Sequence, residues 1–143
     1  MKNIEACEKR IGSESEMRQF GRELAEKAES GDVIALIGDL GTGKTTLTKY
    51  IAEGLGIKET ISSPTFTIVK EYKSGRLPLY HFDVYRLAGM EELLDIGGEE
   101  FLYGGGVCVI EWADIVAGVL PENATCVKLS YGETSEERII CIS

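Results

Sequence analysis

Residues 33–46 read Val-Ile-Ala-Leu-Ile-Gly-Asp-Leu-Gly-Thr-Gly-Lys-Thr-Thr, an uninterrupted apolar run followed at once by a glycine-rich loop. From Gly38 onward the stretch fits the phosphate-binding loop pattern of glycine, four residues, Gly-Lys and then serine or threonine. We predict a buried strand that turns directly into a helix. Such a turn aims backbone N–H groups and the positive end of the helix dipole at one small volume. This arrangement favours a nucleotide polyphosphate as the ligand, and a glycine-rich turn without a ligand is the alternative.

The residue types in the loop follow from the chemistry of a bound triphosphate. Glycines permit backbone angles and close approaches that a Cβ would obstruct, so the loop amides can wrap the phosphates. Lys44 is predicted to place its ammonium against the β- and γ-phosphates, and the Thr45 hydroxyl to enter the coordination shell of Mg²⁺. The predicted nucleotide-binding residues of the loop are Gly41, Thr42, Gly43, Lys44, Thr45 and Thr46.

Two helices are predicted on either side of this strand and loop. Residues 13–16 (Ser-Glu-Ser-Glu) form a capping-box pattern, and apolar residues then recur at helical spacing until Gly31. The helix after the loop carries Leu47, Ile51 and Leu55 on one face.

The remaining apolar segments indicate strands. Residues 66–72 alternate in polarity and residues 79–84 follow after a turn, which predicts a β-hairpin. Residues 107–110 form an apolar run typical of a central parallel strand. Residues 124–130 and 138–142 predict two closing strands.

A chain of 143 residues is long enough for one domain with a proper core. We therefore predict a single α/β phosphate-loop domain over residues 1–143, with a mostly parallel central sheet flanked by helices and a β-hairpin. A short helix is expected over residues 90–94, with a loop from there to residue 106. Ligands of such sheets gather at the carboxyl edge, so Gly38 and Glu111 are expected to meet there.

Composition narrows the class of protein. The net charge is −9, from 24 acidic and 15 basic residues, and no basic stripe is present. Strong unaided binding to nucleic acid is therefore not expected, and a role next to RNA would run through a protein partner. No apolar run approaches the ~18 residues of a membrane span, and residues 1–5 lack the apolar core of a secretory signal. We expect a cytoplasmic protein with no membrane partner.

The four cysteines are far apart and have no neighbouring histidine, which favours neither a zinc site nor a disulfide framework. Cys108, Cys126 and Cys141 lie in apolar, strand-like runs. We expect these three to be buried, reduced thiols.

Two carboxylates end apolar segments and are candidates to complete the site. Glu111 follows four apolar residues, where a metal-binding carboxylate of this fold class is usually found. It is predicted to hold the metal together with Thr45, and an ordinary strand-end carboxylate is the alternative. Asp83 is predicted to orient a metal-bound water or to act as a general base, with an ion pair to Arg86 as the alternative.

Three further residues near these motifs have open roles. His81 faces the same way as Asp83 along its strand, and a hydrogen-bonded structural role is favoured over a catalytic one. Trp112 could stack on a base, form part of a partner surface or pack in the core. Thr65 lies in a hydroxyl-rich segment and is predicted to sense the γ-phosphate, in the manner of a nucleotide switch. A plain turn is the alternative for that segment.

Taken together, these motifs resemble the TsaE family, the small ATPases of bacterial tRNA threonylcarbamoyladenosine biosynthesis. The matching segments are Gly38–Thr46, Ser63–Thr67, Tyr80–Leu87 and Ile110–Trp112. The resemblance implies ATP bound by the loop, Mg²⁺ held by Thr45 and Glu111, and Asp83 and Thr65 near the γ-phosphate. It also aligns Arg138 with an arginine of the family and so implies a nucleotide contact for Arg138, and it places Met17 where members often have a threonine near the adenine.

The resemblance further implies slow hydrolysis by the protein alone, in the service of a complex with the partners TsaD and TsaB. These partners install the threonylcarbamoyl group on adenosine 37 of tRNAs that read codons starting with A. A small-molecule or nucleotide kinase is the main alternative, because it would use the same loop. A GTP-dependent switch is a second alternative, although the sequence lacks the Asn-Lys-x-Asp guanine-reading pattern. A third is an ATP-binding subunit without hydrolysis, against which Glu111 and Asp83 argue.

Overall fold

The computed structural model describes residues 7–62, 64 and 68–143, which form one seven-stranded sheet with helices on both faces. The strands are β1 (Cys7–Ile11), β2 (Val33–Ile37), β3 (Val69–Tyr72), β4 (Leu79–Asp83), β5 (Val107–Glu111), β6 (Thr125–Tyr131) and β7 (Arg138–Ile142). The helices are α1 (Glu14–Lys27), α2 (Lys44–Gly54), α3 (Met90–Asp95), α4 (Gly98–Leu102) and a 3-10 helix over Ala113–Val119.

The strand order across the sheet is β1-β7-β6-β2-β5-β4-β3. The four central strands β6, β2, β5 and β4 run parallel to one another. The pairings outside them, β1 with β7, β7 with β6 and β3 with β4, are antiparallel. The predicted α/β architecture is confirmed, with its parallel part in the centre of the sheet and the predicted hairpin at one edge. The start of that predicted hairpin, residues 66 and 67, lies outside the described residues.

The loop-bearing strand β2 is buried on both faces, which explains its unbroken apolar sequence. Ile34 and Leu36 pack in the cluster that includes α1 and α2, whereas Val33 and Ala35 pack in the cluster that includes α3, α4 and the 3-10 helix. The predicted inward face of α2 is confirmed, because Leu47, Ile51 and Leu55 are all at most 1% exposed. Each such leucine or isoleucine stabilises the docked helix by about 1.5–3 kcal/mol. The glycine loop between β2 and α2 is therefore held at both ends.

Three elements differ from the expectation that the sequence supports. β1 has the sequence Cys-Glu-Lys-Arg-Ile with four exposed residues, and its place in the sheet comes from antiparallel pairing with β7. The loop expected up to residue 106 contains α4, which starts after Gly97 in the left-handed region. The 3-10 helix follows β5 directly. None of the three carries the long periodicity on which sequence prediction depends.

The expectations from composition have mixed outcomes. Cys108 is buried as expected, donates its thiol to the Phe101 carbonyl at 3.0 Å, and has a pKa that burial raises to about 12. Cys126 is half-buried, and Cys141 is exposed, so the expected burial of Cys141 is wrong. Cys141 alternates on β7 with Ile140 and Ile142, which face the core.

No helix in the described residues is long and apolar enough to cross a bilayer.

A methyl group at Gly38 tests how tightly the loop is seated on the sheet. A Cβ there would lie 2.6 Å from the Leu129 carbonyl oxygen and 2.7 Å from Thr42 Oγ1. We expect Gly38→Ala to lower the free energy of unfolding by about 1–3 kcal/mol, because the loop must shift to relieve the overlap. Gly89→Ala is the control, since a Cβ there meets nothing within 4 Å. Urea unfolding that gave equal stabilities for both variants would contradict the described packing.

Candidate functional site

Three adjacent parallel strands end at the same edge of the sheet and bring the candidate residues together. β2 leads into the glycine loop, β5 ends at Glu111 and β4 ends at Asp83. In the strand register Glu111 pairs with Leu36 on one side and with Asp83 on the other. The expected meeting of Glu111 with the start of the loop is therefore confirmed, because parallel strands place their carboxyl ends side by side.

The loop delivers an open helix N-terminus to this edge. Gly43 is the N-cap of α2, with φ of +105° and no side-chain cap hydrogen bond. A side chain with a Cβ would be strained at that φ, and a Ser or Asp cap would compete for the first-turn N–H groups. Those groups are left facing the cleft, where an anion can accept from them.

Lys44 lies in a cleft of about 270 Å³, which we call the inner cleft. The inner cleft is lined by Leu40, Gly41, Gly43, Lys44, Thr45, Thr46, Asp83, Glu111 and Trp112. Lys44 Nζ donates to the carbonyl oxygens of Gly38 and Asp39 at 2.6 and 2.9 Å. The side chain is buried, and burial lowers the pKa of Lys44 while the Glu111 and Asp83 carboxylates oppose that shift. A cation held by carbonyl oxygens next to an open helix N-terminus is placed to neutralise a polyphosphate.

Glu111 forms hydrogen bonds with the predicted metal ligand Thr45 and with His81, for which the sequence favoured a hydrogen-bonded structural role. The Thr45 hydroxyl donates to Glu111 Oε1 at 2.7 Å, and His81 Nε2 lies 2.5 Å from Glu111 Oε2. Glu111 is 2% exposed and His81 is fully buried. A hydroxyl and a carboxylate are the hard oxygen ligands that Mg²⁺ prefers. Within the described residues no group of three acidic, His or Cys side chains forms a metal site, so further ligands would come from a nucleotide or water.

Asp83 lies half-buried in the same cleft. Its Oδ1 accepts a hydrogen bond from the Tyr85 N–H at 3.1 Å. Burial raises the pKa of Asp83, and the neighbouring Glu111 carboxylate raises it further against the opposing effect of that hydrogen bond. The alternative ion pair with Arg86 is not present between these two described residues. A carboxylate whose pKa is raised in a cleft fits a proton acceptor.

Trp112 lines the inner cleft and has a left-handed backbone conformation. It is the only described residue other than glycine with positive φ, at +62°, which costs about 1–3 kcal/mol and is concentrated at functional sites. The Lys44 ammonium lies 3.9 Å from the centre of its indole ring, and the Tyr85 ring packs on it at 4.7 Å. Trp112 is also partly buried against the core cluster that includes α3, α4 and the 3-10 helix, which favours the packing role among those that the sequence left open. Its ring in addition forms an aromatic wall beside Lys44, a role that the sequence did not suggest.

A second cleft of about 340 Å³ is also lined in part by the glycine loop. It shares Gly41, Gly43 and Thr46 with the inner cleft. Its remaining lining residues are Ile11, Ser13, Glu14, Met17, Thr42, Ser135, Glu136 and Arg138. The family resemblance pointed to Met17 as a site residue. No sequence pattern indicated a role in the site for Ser13 or Ser135. The two clefts together are lined by the loop from Leu40 to Thr46.

The hairpin of β6 and β7 contacts the glycine loop through the side chains of Tyr131 and Arg138. Arg138 Nε donates to the Thr42 carbonyl at 3.1 Å and its guanidinium packs on the Tyr131 ring at 4.9 Å. The Tyr131 hydroxyl donates to the Leu40 carbonyl at 2.6 Å. We call Tyr131 and Arg138 the loop brace. Tyr131 was missed by sequence reasoning, which had no motif to find it, and the predicted nucleotide contact of Arg138 stays a prediction. Thr65 lies outside the described residues.

Tyr131→Phe tests the brace by removing one hydroxyl. We expect Mg·ATP to bind about five-fold more weakly, since one lost hydrogen bond costs about 1 kcal/mol and lets the loop tip move. Tyr103→Phe is the control, because Tyr103 is 69% exposed and lies outside both clefts. Equal ATP affinities for the two variants in calorimetric titration would rule out a role for the brace in binding.

Comparison with known proteins finds one matching family, several similar sequences and a similar solved structure. The profile of the family described as "Threonylcarbamoyl adenosine biosynthesis protein TsaE" matches residues 11–140. A tRNA threonylcarbamoyladenosine biosynthesis protein TsaE from Bacillus subtilis is 46% identical over 124 residues, which cover 87% of this chain and 77% of that protein. One of the same name from Treponema pallidum is 49% identical over 117 residues, covering 82% and 86%. The crystal structure of Bacillus subtilis YdiB superposes with a TM-score of 0.81 at 39% identity, covering 97% of this chain and 85% of that one.

Proposed function

Because the chain belongs to the TsaE family of threonylcarbamoyladenosine biosynthesis proteins, we propose that it is the Mg²⁺-dependent ATPase that supports this modification of tRNA. The proposal includes ATP as the nucleotide and hydrolysis of its γ-phosphate as the reaction. One observation carries it: Lys44, Thr45 and the buried Glu111 line one cleft at an open helix N-terminus. A cation, a metal-ligating hydroxyl and a carboxylate are the three groups that phosphoryl transfer requires around a triphosphate.

In this proposal the loop binds and orients the phosphates. The first-turn N–H groups of α2 donate to phosphate oxygens, and the Lys44 ammonium exchanges its bonds to the loop carbonyls for bonds to the β- and γ-phosphates. Because Lys44 already lies in the cleft between Trp112 and the loop, this exchange needs only a local change of its side chain.

Thr45 and Glu111 are the proposed metal ligands, and their existing hydrogen bond fits that role. A bound Mg²⁺ would neutralise charge that develops on the phosphate oxygens during transfer. The Thr45 hydroxyl donates to Glu111, so its oxygen lies beside the carboxylate that would share the cation. The burial of Glu111 strengthens its attraction to a cation, because little water screens it.

Asp83 is the proposed acceptor of the proton of the attacking water. Its Oδ1 is engaged by the Tyr85 N–H, so we assign Oδ2 to the water. We further propose Thr65 as the sensor of the γ-phosphate, as the family resemblance implies. The second cleft, with Met17 and Arg138 in its wall, is proposed to hold the adenosine part of the nucleotide.

The proposed partners are homologues of TsaD and TsaB, with tRNA contacted only through the complex. The net charge of −9 supports this, because it gives the protein no attraction of its own for a phosphate backbone. Location in the cytoplasm, where tRNA is modified, is part of the same proposal.

The deciding experiment measures ATP hydrolysis with and without TsaD and TsaB. We expect slow turnover by the protein alone and a clear increase with both partners. Phosphate release that never rises above background in either condition would refute the ATPase. Transfer of ³²P from γ-labelled ATP to added nucleosides or nucleotides would instead identify the kinase alternative. Stronger competition by GTP than by ATP for the bound nucleotide would identify a GTP-dependent switch.

A further inference from the structure

His81 is the single histidine of the chain and lies at the centre of β4, between the edge strand β3 and the central strand β5. It occupies β4 two residues before Asp83 and has no exposed surface. Its Nε2 lies 2.5 Å from Glu111 Oε2, and its Nδ1 is buried without a hydrogen-bond partner in the described part of the chain. One ring nitrogen therefore has a specific partner and the other has none.

These contacts decide which ring nitrogen faces the carboxylate. A carboxylate only accepts hydrogen bonds, so the Nε2 N–H donates to Glu111 Oε2. The ring therefore presents a fixed N–H donor to Oε2 of Glu111.

We propose that His81 is a positioning residue for the metal site. By holding Oε2, it fixes the rotation of the Glu111 carboxyl group, so that Oε1 stays turned toward the Thr45 hydroxyl 2.7 Å away. A glutamate side chain held at one oxygen only could turn about its terminal torsion, which is broad. The chain from His81 through Glu111 to Thr45 thus arranges both proposed metal ligands before a cation arrives. This inference rests on the proposed function.

Two amide variants separate positioning from packing. In His81→Gln the side-chain nitrogen can take the place of Nε2, whereas in His81→Asn it reaches only the place of Nδ1, which has no partner. We expect His81→Asn to weaken Mn²⁺ binding, measured by electron paramagnetic resonance with a non-hydrolysable ATP analogue, by about 10–100-fold. His81→Gln should stay within about three-fold of wild type. Binding of the analogue without metal should be equal in all three proteins.

The results that overturn the inference are specific. Wild-type Mn²⁺ affinity in His81→Asn would show that the donor at Nε2 does not matter. Equal loss in both variants would show that only the imidazole volume matters. Since either variant could fail to fold, a second measurement uses the wild-type protein without nucleotide or metal.

Nitrogen-15 NMR of the single imidazole provides that measurement. We expect a slowly exchanging proton on Nε2, and a changed Nε2 chemical shift in Glu111→Gln. A ring without a proton on Nε2, or an Nε2 signal that does not change in Glu111→Gln, would overturn the inference and leave the proposed ATPase standing. If the NMR result holds while wild type binds no Mn²⁺ with the analogue, the proposed Mg·ATP site fails and the metal-positioning role fails with it.

Discussion

Lys44→Ala is expected to weaken Mg·ATP binding by about 100-fold. Lys44 is the positively charged side chain among the described residues that line the inner cleft. A charge-assisted hydrogen bond from its ammonium to a phosphate contributes up to about 3 kcal/mol. Isothermal titration calorimetry with Mg·ATP measures the change. Unfolding stability should hardly fall, because the substitution also removes a buried charge whose dehydration is costly.

Lys49→Ala is the matched control for this substitution. Lys49 belongs to the same helix, α2, but is exposed and lines neither cleft. The two variants carry the same net charge, so a general electrostatic effect would weaken both equally. ATP affinity lost to the same extent in both proteins, or in neither, would count against the assigned role of Lys44.

Glu111→Gln is expected to lower Mg²⁺-dependent ATP turnover, measured with TsaD and TsaB present, by about 100-fold. The change keeps the size of the side chain and removes the negative charge that the cation needs. Metal-ion stabilisation of transition-state charge is worth several kcal/mol, of which a 100-fold loss represents about 2.7 kcal/mol. Nucleotide binding without metal should persist, because Lys44 and the helix N-terminus are unchanged. Turnover should be followed over a range of Mg²⁺ concentrations.

Asp114→Asn provides the control for charge. Asp114 is exposed in the 3-10 helix that follows β5, and its charge acts on Lys44 as the charge of Glu111 does. Both substitutions remove one negative charge near the cleft, but only one removes the proposed ligand. Normal hydrolysis by Glu111→Gln in the complex would make the metal assignment wrong.

The parts of the fold that sequence predicted are those with a strong local signal. β2 and β5 are apolar on both faces, α2 has a long buried stripe, and the predicted span of β7 agrees at both ends with the strand found. β1 has no such signal, since four of its five residues are exposed and its pairing partner is β7. Its position is decided by tertiary pairing, which no local pattern records.

The candidate site likewise contains residues that the sequence predicted and residues that it did not. The phosphate loop and the strand-end carboxylates could be found from sequence, because their chemistry requires fixed residue types at fixed places. The bond between His81 and Glu111 spans 30 residues and depends on the register of β4 against β5. Tyr131 contacts the loop through a tyrosine hydroxyl that no motif marks. Residues that support a site through one contact each leave little trace in the sequence.

The loop brace also determines when, during synthesis, the glycine loop obtains the last of its described contacts. Tyr131 and Arg138 follow their loop partners by 91 and 96 residues, and β2 obtains its neighbour β6 only shortly before them. At about 5–20 residues per second, translation adds these segments about 5–20 s after the glycine loop. Until then the nascent chain carries the whole phosphate-loop motif on a strand with an open edge. The proposed nucleotide site is therefore completed late in synthesis, although its phosphate-loop motif is made early.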